Sequence, residues 1–282
     1  MMKLKKMFVG VALLSMVLAG CSSNETAKEE KNTDTAKKDN TEVVIYLARH
    51  GKTMLNTVDR SQGWIDAPLT PAGVEVAEQL GKGLSDVKFD KVVTSDSGRA
   101  IETAELVLKN NGQEKLTKEM TKDKRLREYN FGTYEGLMNE EMLTAVAKEQ
   151  GKTYEEYNEW MKEVGFYKGI IDFADVLSDL DKKNVEEGVN WPAEDSKTIV
   201  ARLTAGLDDL VKDAEKEGAN NVLVVSHGMS IITLLGELDE NADLPDGGLK
   251  NASVSKVTYK DGKYTVDSVN DLSYVEKGKE SK

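Results

Sequence analysis

Val43-Val44-Ile45-Tyr46-Leu47-Ala48-Arg49-His50-Gly51 is the stretch that decides how this chain folds. Five of its first six residues are β-branched or large and apolar, which suits a strand buried on both faces. A guanidinium, an imidazole and a glycine then follow without a break. Such a strand puts a charged fork and a nucleophile-capable ring at the carboxyl edge of a sheet, where open α/β sheets bind ligands. Taken alone, the nine residues suit equally a strand that merely runs into a polar loop.

Two later stretches repeat the pattern. Phe89 to Ser95 reads as a strand that passes through Asp96-Ser97-Gly98-Arg99 into a helix from Ile101 to Leu108. Ser97 is the expected cap, with free backbone N–H groups open to an anion. Asn221 to Ser226 reads as a third strand, followed by His227-Gly228-Met229 and a helix from Ser230 to Leu238.

The length, 282 residues, allows one large domain or two small ones. A net charge of -12 argues against non-specific nucleic-acid binding, which needs a basic face. Arg is scarce: Arg49, Arg60, Arg99, Arg125, Arg127 and Arg202 are all there are, and His50 and His227 are the only histidines.

Residues 1–21 read as a targeting segment. Lys3, Lys5 and Lys6 precede an apolar run from Met7 to Leu18, which is too short for a membrane span but right for a signal-peptide core. Leu18-Ala19-Gly20-Cys21 resembles the lipobox of bacterial lipoproteins. That implies a lipid on the Cys21 thiol, and Cys21 is the single cysteine of the chain. Losing residues 1–20 removes three Lys and no acid, taking the charge to about −15, so an anionic membrane would repel the domain and the lipid must hold it. Residues 22–42 are polar and charged with almost nothing to bury, and read as a disordered tether.

After the opening strand, Thr53 and Asn56 offer short hydrogen-bonding side chains close to Arg49 and His50. Residues 61–69, with Gln62-Gly63-Trp64, form a loop. Thr70-Pro71 starts a helix with a capping hydroxyl and a proline at its first position. Arg125 to Gly136 reads as a shaped loop over a cleft, with Glu128 or Glu135 turned inward. Residues 137–195 are helical, acidic and carry several aromatics, the pattern of an inserted cap. Ala252–Tyr259 and Lys263–Val269, joined by Asp261-Gly262, predict an edge hairpin. Residues 271–282 are charged and expected to fray.

If the three strands are neighbours in one parallel sheet, two guanidiniums and both imidazoles converge. Two forks, each able to bind two oxygens, suit a phosphate dianion, and a nearby imidazole can act as nucleophile. A metal site is the rival use of histidine. It fails because no third His exists and the flanking Arg would repel a cation.

Arg49-His50-Gly51-Lys52-Thr53 with Asn56 resembles the signature of the histidine phosphatase superfamily, the phosphoglycerate mutase-like proteins. The likeness runs in order through Ser95–Ala100 with Thr103, Leu126-Arg127-Glu128 with Phe131-Gly132 and Glu135-Gly136, and Ser226-His227-Gly228. It implies an α/β three-layer sandwich: a mostly parallel central sheet with helices on both faces, a helical cap insertion and an antiparallel edge hairpin, over residues 43–270. It also implies a two-step phosphoryl transfer. His50 attacks phosphorus, Glu128 protonates the leaving oxygen, and Arg49, Arg99 and His227 hold the equatorial oxygens. Thr53, Asn56, Gln62, Gly63 and Gly228 border the substrate, and no cofactor or metal is needed. Glu135 remains an alternative proton donor.

The expected activity is hydrolysis of phosphate monoesters by a lipid-anchored protein on the outer face of the cell membrane. A mutase-type phosphotransferase and a catalytically silent phosphate-binding module are the alternatives.

Overall fold

A computed structural model describes residues 42–281; the expected leader, Cys21 and nearly all of the tether lie outside the described residues. Strand β1 (Val43–Arg49) is followed by a short helix α1 (Met54–Thr57), helix α2 (Pro71–Gly83), strand β2 (Lys91–Thr94) and helix α3 (Gly98–Asn110). A two-residue strand β3 (Thr121–Lys122) precedes the Glu128 loop. Helices α4 (Asn139–Glu149), α5 (Tyr154–Val164) and α6 (Phe166–Asp181) form the expected cap. Helix α7 (Ser196–Glu217), strand β4 (Asn221–Ser226), helix α8 (Gly228–Leu238), strands β5 (Val254–Lys260) and β6 (Lys263–Asp271) and helix α9 (Ser273–Glu280) complete the chain.

The six strands lie in the order β3-β2-β4-β1-β5-β6. β4 runs parallel to both β1 and β2, and the antiparallel hairpin β5–β6 forms one edge. The period-2 alternation of a strand splits the interior in two. Val43, Ile45 and Leu47 of β1, with Val222 and Val224 of β4, face a core built with α7, α8 and the cap. Tyr46 and Ala48, with Leu223 and Val225, face a second core under α2 and α3. This is the expected three-layer α/β architecture. Buried apolar residues in both directions explain why the strands read as continuous hydrophobic runs.

Local chemistry sets the helix ends. Thr70 accepts from the Gly73 N–H, Thr53 and Asn56 exchange a capping box over α1, and Asp195 caps α7. At α3 the expectation is corrected. Ser97 makes no side-chain cap bond, and the Gly98 N–H donates instead to the Asp66 carboxylate at 2.6 Å, so that N–H is not open to an anion.

The carboxyl-terminal residues are also a correction. Residues 273–280 are not a frayed tail but a helix packed along α2, with Tyr274 and Val275 sealing the second core. The helices touch backbone to backbone: a Cβ on Gly83 would sit 1.7 Å from the Tyr274 carbonyl oxygen. A charged composition hid this because the contact is made by glycines and by one face only.

Candidate active site

Parallel pairing places the site. Arg49 of β1 stands opposite Ser226 of β4, so the next residues, His50 and His227, leave adjacent strands side by side. The His50 N–H donates to the Ser226 carbonyl at 3.0 Å, and the Ser95 N–H at the end of β2 donates to the Val225 carbonyl. The two imidazoles meet edge to face with centroids 5.3 Å apart, and both are buried.

Their chemistry differs. His50 Nδ1 lies 2.8 Å from the Gly51 carbonyl oxygen, which can only accept, so Nδ1 carries the proton and Nε2 keeps its lone pair. Burial, then the Arg99 and Arg49 charges, hold the His50 imidazole well below its ordinary 6.5, against the pull of the Gly51 bond. It is neutral near pH 7. His227 is held down in the same way, by burial first and then by Arg99 and His50, and neither of its ring nitrogens has a hydrogen-bond partner among the described residues.

A cavity of about 370 Å³ opens beside these residues, lined by Arg49, His50, Asn56, Gln62, Glu128 and Gly228 on the sheet side and by the cap on the other. Arg99 and His227 stand behind this lining. Arg99 is held by three of its five N–H groups: Nη1 donates to the Ile65 carbonyl and to Asp66, and Nη2 donates once to the Gly63 carbonyl, which leaves a second Nη2 N–H and an Nε with no partner among the described residues. These two remaining donors still allow a fork to an oxyanion. Arg49 is anchored through the Leu249 carbonyl, and its Nε is likewise unpartnered. Burial lowers both guanidiniums from their usual range, which still leaves them cationic.

The remaining expected residues divide. Gln62 lines the cavity, fixed by the Thr53 hydroxyl at 2.5 Å on its Oε1, with its buried Nε2 unpartnered. Thr53 is therefore a support for Gln62 and α1 rather than part of the wall. Asn56 lines the wall, but its oxygen is held by the Thr53 N–H and by Asn251. Gly63 does not border the cavity. It lies where two loops press together, since a Cβ there would be 2.1 Å from the Tyr129 carbonyl oxygen.

Geometry separates the two glutamates. Glu135 accepts from the N–H groups of Gly63, Trp64, Ile65 and Phe131, and so ties one loop to another away from the cavity. Burial raises its carboxyl despite those four bonds. Glu128 faces the cavity beside His50. Its oxygens accept from the N–H groups of Tyr129, Met229 and Ser230 and from the Ser230 hydroxyl, at 2.9–3.1 Å. No Arg or Lys pairs with it among the described residues.

Sequence reasoning missed what steadies Glu128. Arg202 donates to the Arg125, Arg127 and Glu128 carbonyls while paired with Glu194, and Trp64 Nε1 donates to the Glu128 carbonyl at 3.0 Å. The only available signal was that Arg202 is one of six arginines.

The sequence model described as "Histidine phosphatase superfamily (branch 1)" matches residues 45–173 and 172–272. The chain is 32% identical over 229 residues to the broad-specificity phosphatase YOR283W of Saccharomyces cerevisiae, covering 80% of this chain and 84% of the relative. It is 28% identical over 243 residues to the probable phosphoglycerate mutase GpmB of Yersinia pestis, covering 82% and 94%. Among solved structures, the phosphoglycerate mutase from Bacillus anthracis superposes with a TM-score of 0.76 at 44% identity, over 86% of this chain and 99% of that one.

Proposed function

The chain belongs to the histidine phosphatase superfamily, and on that premise we propose that it hydrolyses phosphate monoesters through a phosphohistidine formed on His50. One observation carries this reading. Buried, unpartnered donors on Arg49, Arg99, His227 and Gln62 surround a neutral His50 whose Nε2 is free to attack. Unmet buried donors cost roughly 1–3 kcal/mol each, so the arrangement favours a tetrahedral oxyanion that accepts from several of them at once.

In the first step the Nε2 lone pair attacks phosphorus, the bond to the ester oxygen breaks, and Glu128 gives its proton to that oxygen. In the second step Glu128 takes a proton from water, the water oxygen attacks phosphorus and the N–P bond breaks, releasing inorganic phosphate. Equatorial charge is met by the protein's own cations, and chelators are expected to leave the rate unchanged. Lipid on Cys21 would place the domain at the outer face of the cell membrane. Replacing Cys21 with Ser should release it from membranes.

The test is phosphate release by the purified full chain from a panel of monoesters, with acid-labile, base-stable phosphate label traced to position 50. Release of no phosphate would return the protein to a binding role. A second reading, transfer between positions of a phosphoglycerate, is favoured by the 44% identity to a protein named a phosphoglycerate mutase. Isomer formed from a monophosphoglycerate without free phosphate would select it.

A further inference from the structure

The cavity has two unlike ends. Next to His50 it is polar and cationic. Beyond Glu128 the cap wall is apolar, with Met142, Leu143, Met161, Phe166, Ile170 and Phe173 along it. Among the described residues the one cation on that outer part is Arg60, which is exposed and already donates to the Gly136 carbonyl at 2.7 Å. Asn139 there donates to Asp59. A leaving group carrying its own carboxylate, as a phosphoglycerate does, meets little that would stabilise it.

Met161 and Phe166 of that wall also line a neighbouring space. A second cavity, of about 390 Å³, opens between α5 and the loop at Asp246-Gly247, and it shares Asn158, Met161, Phe166 and Gly247 with the first. The Phe166 ring stands at the junction, with its edge 3.5 Å from where a Cβ on Gly248 would lie. A glycine there leaves room beside the ring. Met161 next to it is unbranched and adapts its shape readily. The outer end carries Tyr154 and the Lys162–Asp246 charges.

We propose that the ligand of this site is a phosphate monoester of an extended apolar alcohol, its phosphate at His50 and its chain running along the cap past Phe166 and Met161 into the second cavity. This rests on the hydrolase reading for its chemistry, but not for its shape. The same chemistry is offered by a soluble alkyl phosphate and by a phosphate-ended membrane lipid.

The test is a series of n-alkyl phosphates from ethyl to hexyl, all below micelle formation and all with alkoxide leaving groups of similar basicity, given to the full chain. Parallel binding is measured with the matching alkylphosphonates, which are not hydrolysed. Burying a methylene supports an expected rise in kcat/KM and in phosphonate affinity of about twofold to fourfold per carbon. Met161→Asp, which puts a charge in the path of the chain, should flatten both series. Flat series in the unaltered protein, or 3-phosphoglycerate turned over faster than hexyl phosphate, would overturn the proposal while leaving the hydrolase reading standing. A rising phosphonate series without any turnover would do the reverse. Phosphate release from phosphatidic acid in phosphatidylcholine vesicles, added to release from hexyl phosphate, assigns a membrane lipid; release from hexyl phosphate alone assigns a soluble ester.

Discussion

Helices α3 and α8 begin at the same sheet edge, each directly after a parallel strand, and each N-terminus is closed by a carboxylate from another loop. At α3 it is Asp66, which takes the Gly98 N–H and is locked in an ion pair with buried Arg99 at 2.9 Å. At α8 it is Glu128, which takes the Met229 and Ser230 N–H groups, has only neutral donors around it and faces the cavity. Both ends satisfy the helix dipole. Only the second leaves a carboxyl free to gain and lose a proton without first breaking a salt bridge. Each carboxylate takes first-turn N–H groups of its helix, so side-chain donors share the work that glycine-rich loops do in nucleotide-binding folds.

The largest loss expected is for His50→Ala, on the order of 10⁴ or more in kcat, because it removes the covalent path that both helix ends frame. Circular dichroism should show the fold unchanged. Glu128→Gln should cost about 10²–10⁴ on alkyl esters and much less on 4-nitrophenyl phosphate, whose leaving group needs no proton. Equal losses on both would make Glu128 no more chemical than Asp66.

The histidines between the two ends sharpen the contrast through pH. Both are held well below 6.5, so under acid the unfolded chain binds protons that the native chain refuses. Stability should therefore fall as pH drops below 6.5, by at most about 2.7 kcal/mol per pH unit for the pair, and His227→Gln should roughly halve that slope in urea titrations. Asp66→Asn should act mainly on stability, by about 1–2 kcal/mol, less than for a fully buried pair because the Asp66 side chain is 38% exposed. Its kcat should stay within about tenfold of the unaltered protein. A kcat loss matching that of Glu128→Gln with an unchanged Tm would erase the distinction.

Much of this was legible in the sequence. Continuous apolar runs ending in Arg-His-Gly, Ser-Asp-Ser-Gly-Arg and Ser-His-Gly located three parallel strands and the edge they share. The convergence of His50, His227, Arg49 and Arg99 followed from register alone. What stayed hidden depends on contacts between distant loops. Nothing near Asp66 says that it caps a helix that starts at Gly98, and nothing near Arg99 says that three of its five N–H groups are already taken. Glu128 and Glu135 look alike in sequence, and only the partners of their oxygens tell them apart. Thr53 and Gly63 belong to the site's scaffolding for the same reason. The two-residue strand β3 carries too little pattern to be seen at all.

The packing of α9 on α2 has a consequence for how the molecule is made. The second core is closed by Tyr274 and Val275, which follow all six strands in the sequence. A nascent chain whose α9 has not yet emerged leaves one flank of the sheet uncovered, so this core closes only after every strand is already out. Removing α9 should yield a sticky, half-closed species.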